Sequence, residues 1–272
     1  MVVVDNNNMC IKLVNTRDKS LAATFKVSCE PRDICILDRL DALAVTLPED
    51  ERIQFFSTRY YNVLEELTCI YTNGKCECVE FLDGQLFVSF LFASPSRIEI
   101  MSLDGTVIKR LYKDAAGNPL FTWPDYMAVF KDSIFISNYW NSSVMKISHT
   151  GSVLNTYIDK SLRWPRGVTP TGEDGNVLIC SRFSHTIHLI SSECEKLGVL
   201  LNESDGLHCP WSVCFNPENK TLFVSSYSAK GKHGDYIRVY QFVDEDTDKD
   251  MLGNDAETDK ASSVPPRSAN TV

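Results

Sequence analysis

Short apolar runs alternate with polar turns along most of this chain, and the runs recur in groups. One group spans residues 164–191, where a Trp-Pro pair, an apolar run, a Gly-Asn turn, "VLIC" and "IHLIS" follow one another. Short runs rich in Val, Ile and Leu between turn residues predict β-strands. A helical period is nowhere sustained. The segment nearest to one, 59–71, is assigned to an outer strand and the connection after it. The pattern therefore predicts an all-β fold.

The group occurs six times along the sequence. Its last apolar run carries a β-branched residue at the third position, and successive copies of that residue are 42, 45, 46, 43 and 50 positions apart. These residues are Ile11, Ile53, Ile98, Val144, Ile187 and Ile237. A second apolar run precedes each of them, at 2–5, 42–45, 86–89, 134–137, 177–180 and 222–225. In every copy except the first, a third run comes earlier still, and a weaker fourth run often follows.

Short strands that repeat at this period, with turns marked by glycine, are typical of β-propellers. A small sheet has two apolar faces, which it buries only against neighbouring sheets. The sequence predicts a six-bladed β-propeller over residues 1–243, with blades at 1–28, 29–70, 71–114, 115–158, 159–203 and 204–243. The first blade lacks an inner strand and the last has no obvious outer strand. We therefore expect the chain to be incomplete at its N-terminus.

Charge separates the end of the chain from the rest. Residues 244–272 carry eight acidic and three basic residues, or −5 of the net −9, whereas residues 1–243 carry 28 acidic and 24 basic residues. The terminal segment also lacks aromatic residues, which predicts a disordered acidic tail. A propeller without a basic excess is not expected to bind DNA. No apolar run approaches the roughly 20 residues of a membrane span, and no membrane association is expected.

Ten cysteines are scattered through the chain, and several lie inside apolar runs, where a cysteine is a small buried hydrophobic residue. No C-x-x-C pair occurs, and "CEC" at Cys76 and Cys78 is the one closely spaced pair. With no signal-peptide pattern at the N-terminus, these features favour a cytoplasmic protein. The N-x-S/T triplets at Asn141, Asn202 and Asn219 matter only in the secretory pathway.

The units at 164–191 and 123–154 resemble NHL repeats, in which a Pro-x-Gly-Val start, a second strand ending in Asp and a third strand with Ile recur. The run from Pro165 to Val168 keeps that start. The Asp survives only as Asp5, and the other copies have Thr46, Ser89, Ser137, Ser181 and Ser225 in its place. The segments "KISHTGSVLNTY" and "LFVSSYS" are most similar to the C-terminal propeller of tripartite-motif (TRIM) proteins.

This resemblance implies that the chain is the substrate-recognising end of a TRIM-like E3 ubiquitin ligase. The RING, B-box and coiled-coil patterns of that family are not found in this sequence, so the resemblance assigns no zinc-binding or ubiquitin-transferring residue here. It implies a non-catalytic module without a cofactor, whose partner is a protein substrate or adaptor.

A search for catalytic and metal-binding patterns favours no enzyme. The sequence contains no G-x-S-x-G, P-loop or G-x-G-x-x-G motif. Successive odd and even positions of a strand face opposite sides of a sheet, so His185 and His188 are not expected to share a metal. The pair His208-Cys209 fits a simple turn. The sequence therefore predicts no metal site.

One enzymatic alternative stays open. Lactonase-type hydrolases are also six-bladed propellers, and they hold Ca²⁺ with oxygen ligands at the ends of inner strands. In this chain the inner strands offer Asp33, Glu80 and Asp125, at different depths from the starts of their strands.

Aromatic residues and arginines occupy the loops that a propeller brings to one face, and such residues dominate binding hot spots. The loops that enter the inner strands contribute Trp123, Trp164, Arg166 and Trp211. The loops between second and third strands contribute Phe90, Phe92, Tyr139, Trp140, Arg182, Phe183, His185, Tyr227 and Lys230. The sequence therefore predicts a binding face made of these residues.

Two questions about this face stay open. The tryptophans Trp123, Trp164 and Trp211 either face a partner or seal the junctions between blades, whereas the pairs at 139–140 and 182–183 lie in polar loops and are expected to be exposed. The partner is either a protein or a single-stranded RNA, since aromatic rings and arginine also stack on bases.

Overall fold

The computed structural model contains six small antiparallel sheets and two short 3-10 turns, and its fold is the six-bladed β-propeller that the repeats predict. The residues that the structure describes are 1–37, 39–60, 62–227, 236–242 and 268–271. Within them, no helix has the length and hydropathy needed to cross a membrane. Contacts divide the chain into two units, Met1–Val168 and Thr169–Val272.

The first sheet has three strands and the next two have four, as the incomplete first copy of the repeat predicts. Sheet 1 consists of β1 (Val2–Asp5), β2 (Cys10–Val14) and β3 (Leu21–Lys26). Sheet 2 consists of β4 (Ile34–Leu37), β5 (Ala42–Leu47), β6 (Arg52–Ser57) and β7 (Glu65–Tyr71). Sheet 3 consists of β8 (Val79–Leu82), β9 (Gln85–Phe90), β10 (Arg97–Ser102) and β11 (Val107–Leu111).

The remaining three sheets have four strands each. Sheet 4 consists of β12 (Pro124–Phe130), β13 (Ser133–Asn138), β14 (Ser143–Ser148) and β15 (Val153–Ile158). Sheet 5 consists of β16 (Pro165–Pro170), β17 (Val177–Ser181), β18 (Thr186–Ile190) and β19 (Lys196–Leu201). Sheet 6 consists of β20 (Pro210–Asn216), β21 (Thr221–Ser226), β22 (Tyr236–Gln241) and β23 (Ser268–Thr271).

The β-branched residue that marks each repeat is the second residue of its strand in all six copies. That strand is the third of the repeat; in sheet 1, which lacks the first strand, it is β2. In the first five copies this side chain is completely buried, and these residues are Ile11, Ile53, Ile98, Val144 and Ile187. A branched side chain packs well on a pleated surface, which explains its recurrence at this position. The alignment of the repeats is thus confirmed to the residue.

Within the first unit, the strands in the middle of a sheet bury both faces. Along β9, Leu86 and Val88 pack in one apolar cluster with residues of sheet 2, whereas Phe87 packs in another with residues of sheet 4. Because successive residues of a strand point to opposite faces, a strand covered on both sides reads as an uninterrupted apolar run. This explains the run "LFVSF" without any helical period.

In the second unit, sheets 5 and 6 share one apolar cluster, which includes Leu178, Ile187, Leu222 and Tyr240. Strand β23 pairs with β22 as the outer strand of sheet 6. The sequence "SANT" has no apolar run, and for that reason the repeat pattern missed this strand. It lies in the segment 244–272 that we expected to be a disordered tail, and residues 244–267 lie outside the described residues.

A β-bulge opens the inner strand of four sheets. In sheet 4 the pairing shifts so that both Asp125 and Tyr126 lie opposite Ser137, and in sheet 6 the register shifts in the same way between Pro210 and Ser212. In sheet 2 the backbone of Thr46 bonds both Arg32 and Asp33, and in sheet 3 Ser89 bonds both Glu77 and Cys78. A bulge re-aims the side chain of its extra residue. The residues re-aimed here are Arg32, Glu77, Asp125 and Trp211.

A hydroxyl group fixes each of these bulges. The side-chain oxygens of Ser89, Ser137 and Ser225 accept hydrogen bonds from the backbone N–H groups of Cys78, Tyr126 and Ser212 over 3.0, 3.1 and 3.0 Å. Thr46 accepts in the same way from Asp33 over 2.9 Å. These four residues are each the last but one in the second strand of their repeat. Each of these strands therefore carries a hydrogen-bond acceptor near its end.

Candidate functional site

Two of the re-aimed side chains form an ion pair within the first unit. Arg32 Nε donates to Glu77 Oε2 over 3.0 Å, and the Glu77 side chain is nearly inaccessible to solvent. Burial raises the pKa of Glu77, and the charge of Arg32 opposes this effect. Asp125 forms a second ion pair, with Arg166 Nη1 as the donor. The Arg32–Glu77 pair could not be predicted from the sequence because 45 residues separate its partners.

Arg166 connects that second ion pair to a group of aromatic rings. Its guanidinium carbon lies 4.2 Å from the centre of the Tyr139 ring, which suits a cation–π interaction. The Tyr139 ring also lies 4.7 Å from the ring of Trp164. The charge of Asp125 and the rings thus hold Arg166 from two sides, and the arginine in turn covers Tyr139.

The aromatic rings of the first unit form one continuous group, here called the tryptophan cluster. Its members are Phe92, Trp123, Tyr139, Trp140 and Trp164. The Trp140 ring contacts those of Trp123, Tyr139 and Trp164, with centres 6.1, 5.2 and 5.8 Å apart and edges turned toward faces. Each such contact contributes about 0.5–1.5 kcal/mol beyond burial. The rings are therefore fixed relative to one another.

The exposure of these rings partly contradicts the sequence analysis. We expected Tyr139 and Trp140 both to be exposed, but Tyr139 is 6% exposed, because it lies beneath Arg166 and beside Trp164. Trp140 is 56% exposed, and so is Phe92 at the other end of the cluster. Trp123 and Trp164 are half-buried between them, so they support the exposed rings and keep some surface of their own.

Phe90 does not belong to this surface. The sequence analysis assigned it to the binding face, but its side chain is completely buried in the cluster between sheets 2 and 3. Its ring lies beneath the Arg97 guanidinium, 4.2 Å from the centre. Phe90 is the last residue of β9 and keeps the inward alternation of Leu86 and Val88, which explains the error.

The second unit brings four other predicted residues together, here called the Arg182 cluster: Arg182, Phe183, Trp211 and Tyr227. The Arg182 guanidinium carbon lies 4.8, 5.4 and 5.5 Å from the ring centres of Trp211, Phe183 and Tyr227. Arg182 and Phe183 directly follow β17, and the bulge at the start of β20 aims Trp211. Phe183 is 41% exposed, as expected, whereas Arg182 is half-buried.

His185, also predicted for the binding face, lies in a different group of the second unit. Its ring stacks on that of His208 with centres 4.4 Å apart, and its Nδ1 accepts the backbone N–H of Cys209 over 2.9 Å. Lys230, the last predicted residue, lies outside the described residues. Whether the clusters of the two units form a single face stays a prediction.

The group of His185, His208 and Cys209 has the residue types of a metal site. Their potential ligand atoms all lie within 4.8 Å of one another. However, Nδ1 of His185 already uses its lone pair as an acceptor, which leaves the ring proton on Nε2. Burial also raises the pKa of the Cys209 thiol, and a metal needs the thiolate. The geometry therefore favours a packed turn over a metal centre.

The three carboxylates of the calcium alternative do not fit an ion. Asp33 Oδ2 accepts the backbone N–H of Val79 over 3.0 Å, and Asp125 is paired with Arg166. Burial and the neighbouring Asp33 raise the pKa of Glu80 well above its usual value, which disfavours the charged form that Ca²⁺ requires. Within the described residues, these carboxylates do not form a group of converging ligand atoms.

The cysteines of the described residues form no disulfide, and most are buried. Burial raises the pKa of Cys76 to about 11 and that of Cys78 well above its usual value, so both thiols are protonated at neutral pH. A protonated thiol is a poor nucleophile and a poor metal ligand. The pair in "CEC" is therefore part of the packed core.

Comparisons with known proteins show the fold alone. No protein-family model matches the sequence, and no curated protein does. Among solved structures, a functionally unknown protein from Desulfotomaculum acetoxidans is 13% identical to this chain, with a TM-score of 0.65. The match covers 89% of this chain and 75% of that protein. A catalytically inactive virginiamycin B lyase from Staphylococcus aureus, solved with quinupristin, is 14% identical, with a TM-score of 0.60. The match covers 88% of this chain and 79% of the lyase.

A third similar structure is a streptogramin B lyase, 16% identical with a TM-score of 0.61, whose match covers 88% of this chain and 74% of its own. The propellers that resemble this chain in structure thus include enzymes. At such low identity their activities are properties of those proteins.

Proposed function

We propose that this chain is a non-catalytic, protein-binding β-propeller that acts as the substrate-recognising part of a TRIM-like E3 ubiquitin ligase. The tryptophan cluster is the surface that binds the partner. The observation that carries the proposal is the exposure of Trp140 and Phe92, each 56% exposed although other rings of the cluster hold it in place.

Fixed aromatic rings suit the recognition of proteins. Large aromatic side chains supply much of the binding energy of interfaces, and a ring that is already held loses little conformational entropy when a partner covers it. Trp140 is held by three rings and Phe92 by Trp123. Contact between such an apolar surface and water is energetically unfavourable, and exposed apolar patches often mark interaction sites.

The state of the polar groups supports binding over catalysis. Asp125 is engaged by Arg166 and Glu77 by Arg32, while the buried thiols of Cys76 and Cys78 are protonated. These groups stabilise the starts of inner strands. A role as general base, nucleophile or metal ligand would require them in other states.

The ubiquitin-ligase part of the proposal rests on the resemblance to TRIM propellers. It places the protein in the cytoplasm, in agreement with thiols that form no disulfide in the described part of the chain. In this role the propeller would capture a substrate, and a RING domain would carry out ubiquitin transfer.

Affinity capture from cell lysate tests the proposal, with the full chain as bait. The informative variant is Phe92→Ala/Trp140→Ala, which removes the exposed rings. The matched control is Tyr71→Ala/Ile158→Ala, because these two side chains are 77% and 74% exposed and end outer strands. We expect a set of proteins that the control retains, that the cluster variant loses, and that RNase treatment leaves unchanged.

The ligase context needs a second readout. The ubiquitination of the captured proteins is compared between cells that contain this chain and cells from which it has been deleted. A fall in ubiquitination on deletion supports the TRIM-like role. If capture depends on the tryptophan cluster but ubiquitination does not fall, the chain is a protein-binding propeller and its role in a ubiquitin ligase is overturned. Capture that the cluster variant does not change overturns the choice of surface.

RNA is the rival partner, and the stacking of Arg182 on aromatic rings is the observation that favours it. The charge of residues 1–243, with 28 acidic and 24 basic residues, opposes it. Recovery that disappears with RNase, and an affinity for single-stranded RNA that falls steeply with salt, would identify an RNA-binding propeller.

A further inference from the structure

The Arg182 cluster differs from five arginine sites of the first unit in the way its charge is compensated. In the first unit, Arg32, Arg52, Arg97, Arg110 and Arg166 each form an ion pair with a carboxylate. Within the described residues, no carboxylate pairs with Arg182, and its buried Nε has no hydrogen-bond acceptor. Within the described part of the chain, aromatic rings hold its guanidinium group.

Holding a guanidinium by rings fixes its position without using its hydrogen-bond donors. The faces of Trp211, Phe183 and Tyr227 attract the cation without accepting a conventional hydrogen bond from its N–H groups. Arg166 provides the comparison, since it stacks on Tyr139 in the same way but donates to Asp125. Among the described residues, the Arg182 cluster thus resembles the Arg166 site without its carboxylate.

The surroundings of Arg182 favour a single anionic group over a polyanion. Glu203 lies near the same turn, where it approaches His185 Nε2 to 3.9 Å, and its side chain is 67% exposed. A phosphate backbone that ran along this surface would meet that negative charge. One carboxylate placed against the guanidinium, with an apolar neighbour against Phe183, would bring a single negative charge near Glu203 instead of several.

We propose that the Arg182 cluster binds a carboxylate of an acidic segment in the partner protein, with the Arg182 guanidinium donating two parallel hydrogen bonds to it. The carboxylate takes the place beside Arg182 that Asp125 has beside Arg166, and Phe183 packs against the apolar residue next to it. Guanidinium and carboxylate geometries match for such a bidentate contact. This inference rests on the proposed protein-binding function and specifies its ligand.

Selection of short random peptides on the full chain tests this inference. Three proteins are compared: the unchanged chain, Arg182→Gln, and Phe92→Ala/Trp140→Ala. We expect acidic peptides to be enriched on the unchanged chain and on the tryptophan-cluster variant, and this enrichment to disappear on Arg182→Gln. A selected acidic peptide should bind Arg182→Gln about 10-fold to 100-fold more weakly, which corresponds to the loss of a charged hydrogen bond.

Two controls separate recognition from folding and from simple charge. Arg182→Lys keeps the positive charge but lacks the planar fork, so most of the affinity should still be lost. A peptide in which Gln replaces Glu should bind the unchanged chain as weakly as the acidic peptide binds Arg182→Gln. An unchanged melting temperature of both variants excludes misfolding as the cause.

The outcomes distinguish this inference from the function on which it rests. Peptides without an acidic preference, or an acidic preference that survives Arg182→Gln, overturn the carboxylate site. Protein capture through Phe92 and Trp140 then still stands by itself. An oligouridine that binds in an Arg182-dependent way, while acidic peptides do not, overturns it in favour of a phosphate ligand. The absence of any selected peptide also counts against it.

Discussion

The side-chain oxygen of Ser137 accepts a hydrogen bond from the backbone N–H of Tyr126 over 3.1 Å, and this bond fixes the bulge that aims Asp125 at Arg166. Equivalent bonds recur from Thr46, Ser89 and Ser225. A small polar residue near the end of the second strand therefore helps to set which side chain the inner strand of the same sheet presents. The same backbone bulge thereby positions a different residue in each of these four sheets.

Removal of the Ser137 hydroxyl tests this relationship. In Ser137→Ala the buried N–H of Tyr126 loses its side-chain acceptor, and we expect the free energy of unfolding to fall by about 1–3 kcal/mol. Ser152→Ala is the matched control, because Ser152 lies in an exposed turn between β14 and β15. Equal stability of both variants in chemical denaturation would contradict the proposed role of the hydroxyl.

The ion pair of Asp125 and Arg166 should contribute far more than a surface pair. Their side chains are 9% and 13% exposed, so Asp125→Asn leaves an uncompensated charge and should destabilise the protein by about 3 kcal/mol. Lys75→Ala breaks an exposed pair with Glu49 and should leave the melting temperature unchanged. In a double-mutant cycle, Asp125→Asn/Arg166→Gln should cost less than the sum of the single variants.

The raised pKa of Glu80 predicts a pH-dependent cost of folding. Burial and Asp33 raise this pKa above the usual 4.5, so at higher pH the unfolded chain gives up the proton before the folded one does. With respect to Glu80, the free energy of unfolding is therefore highest below pH 4.5 and declines as pH rises above it. Glu80→Gln should melt at a higher temperature than the unchanged chain at about pH 8, and the difference should shrink toward about pH 4.

Asp104 provides a control of opposite sign. Hydrogen bonds from Ser102 and Thr106 lower the pKa of Asp104, so its contribution is present above the usual value of 3.8 and is lost as pH falls. Asp104→Asn should therefore melt at a lower temperature at neutral pH. A pH-independent difference for Glu80→Gln would show that its carboxyl is not held in the protonated form.

Two glycines with the same backbone angle should respond differently to alanine. Gly105 and Gly117 both have φ of +88°, but a Cβ at Gly105 would lie 2.8 Å from Cγ2 of the buried Ile70, whereas nothing lies within 4 Å at Gly117. Gly117→Ala should cost about 1 kcal/mol for the left-handed backbone alone. Gly105→Ala should cost about 1–3 kcal/mol more because of the clash. Equal destabilisation would show that the loop before β11 moves away.

The repeat pattern predicted the fold because its signal is local. Each third strand contains a β-branched residue at the same place, and in the first five copies its side chain is completely buried. The incomplete first sheet followed from the same count. Strand β23 was missed because its pairing with β22 is made by the backbone, and the residues of "SANT" carry no apolar signal.

The candidate site was less predictable, because its geometry depends on bulges and on contacts between distant residues. Composition drew attention to Tyr139 and Trp140 together, yet only the contact with Arg166 determines that Tyr139 is the buried one. The pairing of Arg32 with Glu77 joins two different sheets. Arg182 stood out in the sequence as part of an aromatic loop. The lack of a carboxylate beside it, among the described residues, became visible only in the structure.

The most direct test of the binding surface is photo-crosslinking in cells from position 140, with benzoylphenylalanine in place of Trp140 of the full chain. The same group at Ile158, which is 74% exposed against 56% for Trp140, is the control. The account predicts discrete protein adducts from position 140 that survive RNase and are missing from position 158. Adducts to RNA, or a pattern identical at the two positions, would contradict the claim that the tryptophan cluster binds a protein.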